Sequence, residues 1–496
     1  MPDIIQLTAK DGSPVSFVDS IIASGGMKDV YFSPDRSYVV AFFRDPQDAN
    51  ARDRLDNIVG VYRQRIFDQP GGDYWKRLFC WPTKIVEARG KLGIVAPTYM
   101  SHFFFEHGSR NGDFLGIKGK EKQGKWFASA EHRAKYVDPK ELGDWRSHLR
   151  ICIQIARAVR RMHAAGLAHS DLSYRNVLID PKDGNACIID IDGLVVPNKY
   201  PPDVIGTPDF IAPEVVATLG MPKDKRCLPR IETDRHALAV LIYMYLLYRH
   251  PLRGSKMHHA DSDKDDALMM GSGSLFIEHP SDTSNRLNVK AVKRECLPWA
   301  DVGKMPYTIT GPLLRQLFDR AFVEGLHQPH LRPTADDWEQ ALVKTVDLLQ
   351  PCSNPNCSQR WYVFDNSTRP TCPFCGTPYR GDLPLLNLYS SRGKGSFLAD
   401  NHRLMVFTNQ YLYPWHASRN VFPNEKLTEE QRKPVGYFVL HGGRWVFVNQ
   451  RLPDMKDIDE DKPVPIGSMV ELIDGKKFLL SAGDGGRLIH VQMVRA

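Results

Sequence analysis

The stretch His169-Ser170-Asp171-Leu172-Ser173-Tyr174-Arg175-Asn176 decides the reading of this chain. It lies between an amphipathic stretch, Trp145 to Ala165, and an apolar run, Val177-Leu178-Ile179. An Asp followed five residues later by an Asn puts a carboxylate and an amide, both oxygen donors, on one short loop. A His-x-Asp triplet alone carries little weight, because such triplets arise by chance in loops. The landmarks that follow it in order carry the argument.

Cys187-Ile188-Ile189-Asp190-Ile191-Asp192-Gly193 reads as a strand delivering a carboxylate. If the backbone stays extended there, Asp190 and Asp192 point the same way. The alternative for Asp192 is a solvated loop position. Next come Gly206-Thr207-Pro208-Asp209-Phe210-Ile211-Ala212-Pro213-Glu214, then Thr233-Asp234-Arg235-His236-Ala237, then Leu331-Arg332-Pro333-Thr334-Ala335.

In this order the motifs resemble Hanks-type Ser/Thr protein kinases over roughly residues 15–349. The resemblance implies a bilobal α+β fold that uses ATP and Mg2+ to phosphorylate a protein substrate. It implies that Asp171 aligns the hydroxyl, that Asn176 and Asp190 hold magnesium, and that Thr207 bonds Asp171. His169 and Asp234 would brace the catalytic loop, and Arg332 would pair with Glu214. Arg175, four residues after Asp171, sits where tyrosine kinases often carry a γ-phosphate cation; its bland reading is a surface Arg. Ser170 replaces the Arg that usually binds an activation-loop phosphate. Only Tyr200 offers a hydroxyl between Asp190 and Gly206, so loop phosphorylation is not expected to be the on-switch.

The departures sit in the small lobe. The strand Val39-Val40-Ala41-Phe42-Phe43 has no lysine, and Phe43 falls about where one is expected. Arg44 has the wrong parity for that face. Of the three usual glycines of the nucleotide-covering loop only Gly25 keeps its place; Gly26 follows it, Lys28 stands in place of the third, and Val30 comes after. This resembles the with-no-lysine kinases, in which a loop lysine supplies the missing charge. A polyphosphate needs a fixed cation, which either neighbouring strand can present; the bland reading of Lys28 is a solvated turn residue. Gly25, Gly26, Lys28, Val30 and Ala41 are therefore the expected nucleotide contacts. No Glu occurs between Asp48 and Asp68, so the usual helix carboxylate is missing; Asp53 and Asp56 are the candidates.

Cysteine usage defines a second site. Five of nine cysteines are scattered, while Cys352-x4-Cys357 and Cys372-x2-Cys375 form two close pairs. Paired thiolates joined by a short loop suit a closed tetrahedral Zn2+ site, structural rather than catalytic. The pattern points to reduced thiols and a cytoplasmic location rather than disulfides. The N-terminus does not read as a secretory signal. The longest apolar run, Ala237 to Tyr248, is too short for a bilayer and reads as a buried helix. The formal charge of +7 is mild for 496 residues and suits anionic ligands without demanding nucleic acid.

The expected organisation is a small lobe at 15–100 and a large lobe at 101–349 with insertions near 108–135 and 255–306. A zinc ribbon follows at 350–384 and an all-β segment at 385–496. The last segment loosely resembles forkhead-associated domains, with Ser418, Arg419, Asn420 and Asn449 as remnants of a phosphothreonine site. The combination is similar to kinases of tellurium-resistance-linked triads, which implies a protein phosphatase and a von Willebrand A-type protein as partners. Two other readings stay open: a pseudokinase scaffold, and a nucleic-acid-associated module using the ribbon and the basic run Lys118 to Lys125. A membrane partner is not expected.

Overall fold

The computed structural model describes residues 3–24, 27–69, 71–196, 199–202, 205–393 and 395–494. By contacts the chain divides into two units. The first comprises residues 1–143, 147–306 and 317–339, and the second 144–146, 307–316 and 340–496.

The first unit opens with a hairpin, β1 (Ile4–Thr8) and β2 (Pro14–Val18). An antiparallel sheet follows, built from β3 (Ile21–Ser24), β4 (Lys28–Phe32), β5 (Tyr38–Phe43), β6 (Lys84–Ala88) and β7 (Lys91–Pro97) in the order β3-β4-β5-β7-β6. Both faces of β5 are covered, which explains its unbroken apolar sequence. Val40 and Phe42 pack on Val15 and Phe17 of the hairpin. Ala41 and Phe43, of opposite parity, pack on Leu55 of helix α1 (Ala49–Asn57). Asp48 caps α1, its carboxylate accepting from the Ala51 amide at 2.8 Å. The helical spacing of Leu55, Ile58, Tyr62 and Ile66 continues through a π turn, Ile58–Tyr62, into Arg63–Phe67.

The remainder of this unit is mainly helical. In α2 (Trp145–Ala164), Leu149, Cys152, Ala156, Val159 and Met162 line one fully buried stripe. The apolar run of the sequence becomes α3 (Ile231–Leu247), buried on all sides. Between them lies a short hairpin, β8 (Val177–Asp180) and β9 (Asn185–Ile188), paired Val177 to Ile188. That register sets Asn176 opposite Ile189, and the Ile189 amide donates to the Asn176 carbonyl at 3.0 Å.

The segments read as insertions are built into the fold. Gly124 sits where a Cβ would meet the Tyr245 hydroxyl of α3. In the basic run, Lys122 is buried and paired with Glu141 at 3.0 Å and Asp180 at 3.7 Å. One of its lysines is thus spent on internal charge balance.

Helix α4 (Ala335–Val346) leads into the second unit. There β10 (Leu349–Pro351) pairs with β11 (Trp361–Val363), with Cys352 and Cys357 in the connection between them and Cys372 and Cys375 after β11. Among the described residues ten further strands follow: β12 (Leu383–Ser391), β13 (Phe397–Met405), β14 (Tyr411–Leu412), β15 (Gly436–His441), β16 (Arg444–Asn449), β17 (Lys456–Asp457), β18 (Lys462–Pro463), β19 (Met469–Glu471), β20 (Lys477–Leu479) and β21 (Arg487–Val494). They form a six-stranded sheet, β13-β12-β21-β20-β17-β18, and a four-stranded sheet, β14-β15-β16-β19. Leu386, Leu404, Phe478 and Ile489 of the first sheet share one core with Phe438, Phe447 and Val470 of the second. The cysteine-bearing piece joins this unit through a core of Cys357, Cys372, Tyr362, Leu383, Leu385 and Met405. No helix among the described residues is long and apolar enough to cross a membrane.

Candidate active site

The catalytic stretch is fixed from three sides. The His169 amide donates to Asp234 Oδ2 at 2.7 Å, and the Ser170 amide to its Oδ1 at 3.3 Å. His169 Nε2 lies 2.9 Å from the Ile189 carbonyl. Ser170 turns through φ 63°, a left-handed conformation held by these contacts. Asp171 then accepts at Oδ1 from the Thr207 amide (2.7 Å) and hydroxyl (2.8 Å), and at Oδ2 from Asn176 Nδ2 (2.9 Å). The same Asn176 nitrogen reaches the Asp171 carbonyl at 2.9 Å. With its nitrogen spent on Asp171, Asn176 keeps its amide oxygen for another partner. Gly206 makes this approach feasible: a Cβ there would lie 3.2 Å from the Ser170 carbonyl, and its φ is 128°. Behind the site, Arg332 is fully buried and grips Glu214 through two bonds, 2.8 and 2.7 Å, while donating to three backbone carbonyls.

Lys28 enters from the strand above. In β4 it is the cross-strand partner of Phe43, where the strand lysine is absent. Its ammonium lies 5.4 Å from the Phe43 ring centroid. It contacts both oxygens of Asp192, at 2.6 and 2.7 Å, and one oxygen of Asp190 at 3.2 Å. Burial pushes the ammonium toward its neutral form, but the charges of Asp192 and Asp190 outweigh this and hold its pKa above the ordinary lysine value. For Asp190, burial raises the pKa, yet Lys28 and then His169 bring the net shift below the usual carboxylate value. Val30 and Ala41, also cross-strand partners, line the apolar roof with Phe43 and Leu55. Met27, Lys28, Phe43, Arg54, Asp171, Asp190 and Asp192 line one cleft.

Two expectations need correction. The extended backbone proposed for Asp190 to Asp192 is absent: Asp190 is left-handed (φ 61°, ψ 43°) and Ile191–Gly193 is a 3-10 turn. The two carboxylates still converge, through the turn rather than strand parity. Asp192 is not a solvated loop residue; its side chain is only 9% exposed. The helix candidates also lie elsewhere. Asp53 accepts from the hydroxyl of Tyr200, which is buried, and Asp56 pairs with Lys10. The residue that α1 sends toward the site is Arg54, buried and electrostatically coupled to Asp192, with Nη1 3.2 Å from the Pro201 carbonyl. Set among Arg52, Asp53 and Asp56 in a charged stretch, it gave no signal for this. Arg175 is exposed. Gly25 and Gly26 lie outside the described residues.

Hard oxygen donors from Asp190 and Asn176 are the chemistry magnesium takes, and Lys28 beside Asp190 is a point charge of the sign that a phosphate pairs with. The arrangement can align a hydroxyl on Asp171 and neutralise a polyphosphate. In the second unit, the sulfur atoms of Cys352, Cys357, Cys372 and Cys375 all lie within 4.8 Å of one another. Cys352 and Cys375 are 3.5 Å apart, Cys357 and Cys372 3.9 Å. A tetrahedral ion with bonds of about 2.3 Å requires sulfurs roughly 3.8 Å apart, so the cluster is compatible with zinc. Asn449 is fully buried and bonds the Leu452 and Val464 carbonyls, so it braces loops rather than facing a ligand.

Residues 128–362 match the family model of the protein kinase domain. The match begins beyond the small lobe, where the departures are concentrated. A titin homolog of Caenorhabditis elegans is 30% identical over 190 residues, covering 36% of this chain and 1% of that protein. The serine/threonine-protein kinase PkaB of Streptomyces coelicolor is 31% identical over 119 residues, 21% of this chain and 26% of that protein. A crystal structure of a Toxoplasma gondii rhoptry antigen kinase domain covers 69% of this chain, with 86% of its own length covered, at 13% identity and a TM-score of 0.39. The chain thus spans a small part of the curated relatives it matches. The family model and the bacterial serine/threonine-protein kinase relative support a protein kinase.

Proposed function

We propose that this protein is an ATP- and Mg2+-dependent Ser/Thr protein kinase whose phosphate-gripping cation comes from β4 instead of β5. One observation carries the reading: Lys28 stands cross-strand from Phe43 and reaches over the cleft to the carboxylate that would hold magnesium. Asn176 and Asp190 would hold magnesium, which would supply charge neutralisation on the phosphates. Asp171, fixed by Thr207 and Asn176, orients the attacking hydroxyl. Arg175, exposed four residues after Asp171 in the chain, neutralises charge developing on the transferring group. The cysteine cluster holds a structural Zn2+. The all-β segment is a forkhead-associated-like module, and a phosphatase and a von Willebrand A-type protein as partners rest on domain order alone.

A pseudokinase draws support from the Lys28–Asp190 contact, which occupies a metal-binding carboxylate. Transfer of labelled γ-phosphate from ATP to a generic protein acceptor, compared with Asp171→Ala, separates the two. Magnesium-dependent transfer lost in the variant supports the kinase; equal signal in both, or none with any divalent metal, supports the scaffold.

A further inference from the structure

The three contacts of Lys28 are unequal. Asp192 meets the ammonium with both oxygens, 2.6 and 2.7 Å, and its side chain is 9% exposed. Asp190 offers one oxygen at 3.2 Å and is half exposed. An ammonium has three donors, so the long, wet contact is the one exchanged when an anion arrives. Meanwhile α1 presents Arg54, not a carboxylate, to this cluster.

We propose that Asp192 is the positioning residue for Lys28: it replaces the helix carboxylate as the permanent anchor of the phosphate-binding lysine, and it is not a metal ligand. Both halves of the usual lysine–carboxylate pair are relocated, the cation to β4 and the anion to the turn after β9. In this arrangement Asp190 is released to magnesium when nucleotide binds, while Asp192 keeps Lys28 aimed at the phosphates. The orientation of α1 then does not gate the lysine through a carboxylate. The proposal deepens the kinase reading and rests on it, but its geometry exists without nucleotide.

The other ionisable groups around the pair are His169 and Tyr99 near Asp190, Arg54 and Cys80 near Asp192, and Asp171 in the same cleft. The carboxylate among these, Asp171, is held by Thr207 and Asn176, and burial first and then Asp192 push the Cys80 thiol up to about 12, so it stays neutral.

The test uses the full chain without nucleotide. Acetylation with acetic anhydride at one fixed pH, read by mass spectrometry, gives the labelling rate of the Lys28 amine. Asp192→Asn, which removes the carboxylate that takes two of its donors, is expected to speed Lys28 labelling roughly tenfold. Asp192→Glu is expected to restore most of the protection, and Asp190→Asn to have the smaller effect. No change of rate in Asp192→Asn, or a larger one in Asp190→Asn, overturns the assignment. In the transfer assay Asp192→Asn is expected to raise KM for ATP and leave the Mg2+ midpoint unchanged. A raised Mg2+ midpoint would make Asp192 a metal ligand and also overturns it. If no transfer occurs with any variant, the kinase reading fails while the labelling result still decides the anchor.

Discussion

Replacing Lys28 by Met removes one charge and three donors without changing the length of the side chain much. Two of those donors sit on Asp192 and one on Asp190. On the proposed exchange the phosphate takes the third, so the variant loses one preorganised charge-assisted donor in a partly desolvated cleft. Such a loss costs roughly 100- to 1000-fold in rate, about 2.7–4 kcal/mol. A second effect falls on stability. Removing one partner of a buried pair costs about 3–5 kcal/mol. Here the low end applies, because Asp190 is half exposed and Arg54 partly compensates Asp192. The assay is steady-state transfer of labelled phosphate with ATP varied at saturating Mg2+, beside thermal unfolding of the same preparations. Lys28→Arg keeps the charge and should retain more activity. Phe43→Lys in the Lys28→Met background moves the cation one strand over and should recover part of the loss. A Lys28→Met enzyme within about twofold of wild type in kcat/KM refutes the reasoning.

Other outcomes follow from the same geometry. Arg332→Ala leaves Glu214 without its two-bond partner and should destabilise the first unit by about 3–5 kcal/mol in denaturant titration. Strong chelation of zinc, or Cys372→Ser, should lower the melting temperature of the second unit, because Cys357 and Cys372 belong to a core shared with Leu383, Leu385 and Met405; wild-type protein should contain about one zinc per chain by elemental analysis. Asp347 is buried between His402 and His416, with its carboxylate 2.6 and 3.2 Å from their Nε2 atoms. Burial raises its pKa, but the two imidazoles more than offset this and hold it below the usual value, while burial lowers that of His402. A depressed Asp pKa gives stability that is present above its unfolded value, about 3.9, and is lost as pH falls toward the folded value. The depressed His402 acts in the same direction below its unfolded value of about 6.5. Wild-type melting temperature should therefore drop on acidification more steeply than that of Asp347→Asn.

Where spacing carries the chemistry, the chain could be read directly. Asp171 and Asn176 share one loop, and the β8–β9 hairpin between Asn176 and Asp190 is short enough that its register follows from its apolar pattern. The four cysteines are local in the same sense. The turn joining β4 and β5 was legible and Lys28 was singled out by resemblance, but its place opposite Phe43 is set by the strand register. Asp192 was misjudged because its direction depends on a left-handed residue at Asp190, a conformation uncommon outside glycine and sustained by tertiary contacts. Arg54 carries no mark in the sequence, since a helix Arg is ordinarily solvated. The Asp347, His402 and His416 cluster joins three separate elements, and no local pattern links them.

The central claim is that the lysine of β4 does the work of the missing strand lysine. A structure of the full chain with Mg2+ and a non-hydrolysable ATP analogue tests it most directly. The account predicts Lys28 Nζ within hydrogen-bond distance of a phosphate oxygen and still on Asp192, with Asp190 turned to the metal. Phosphates gripped by Arg44 or Arg54 instead, with Lys28 remaining on Asp190, would contradict it.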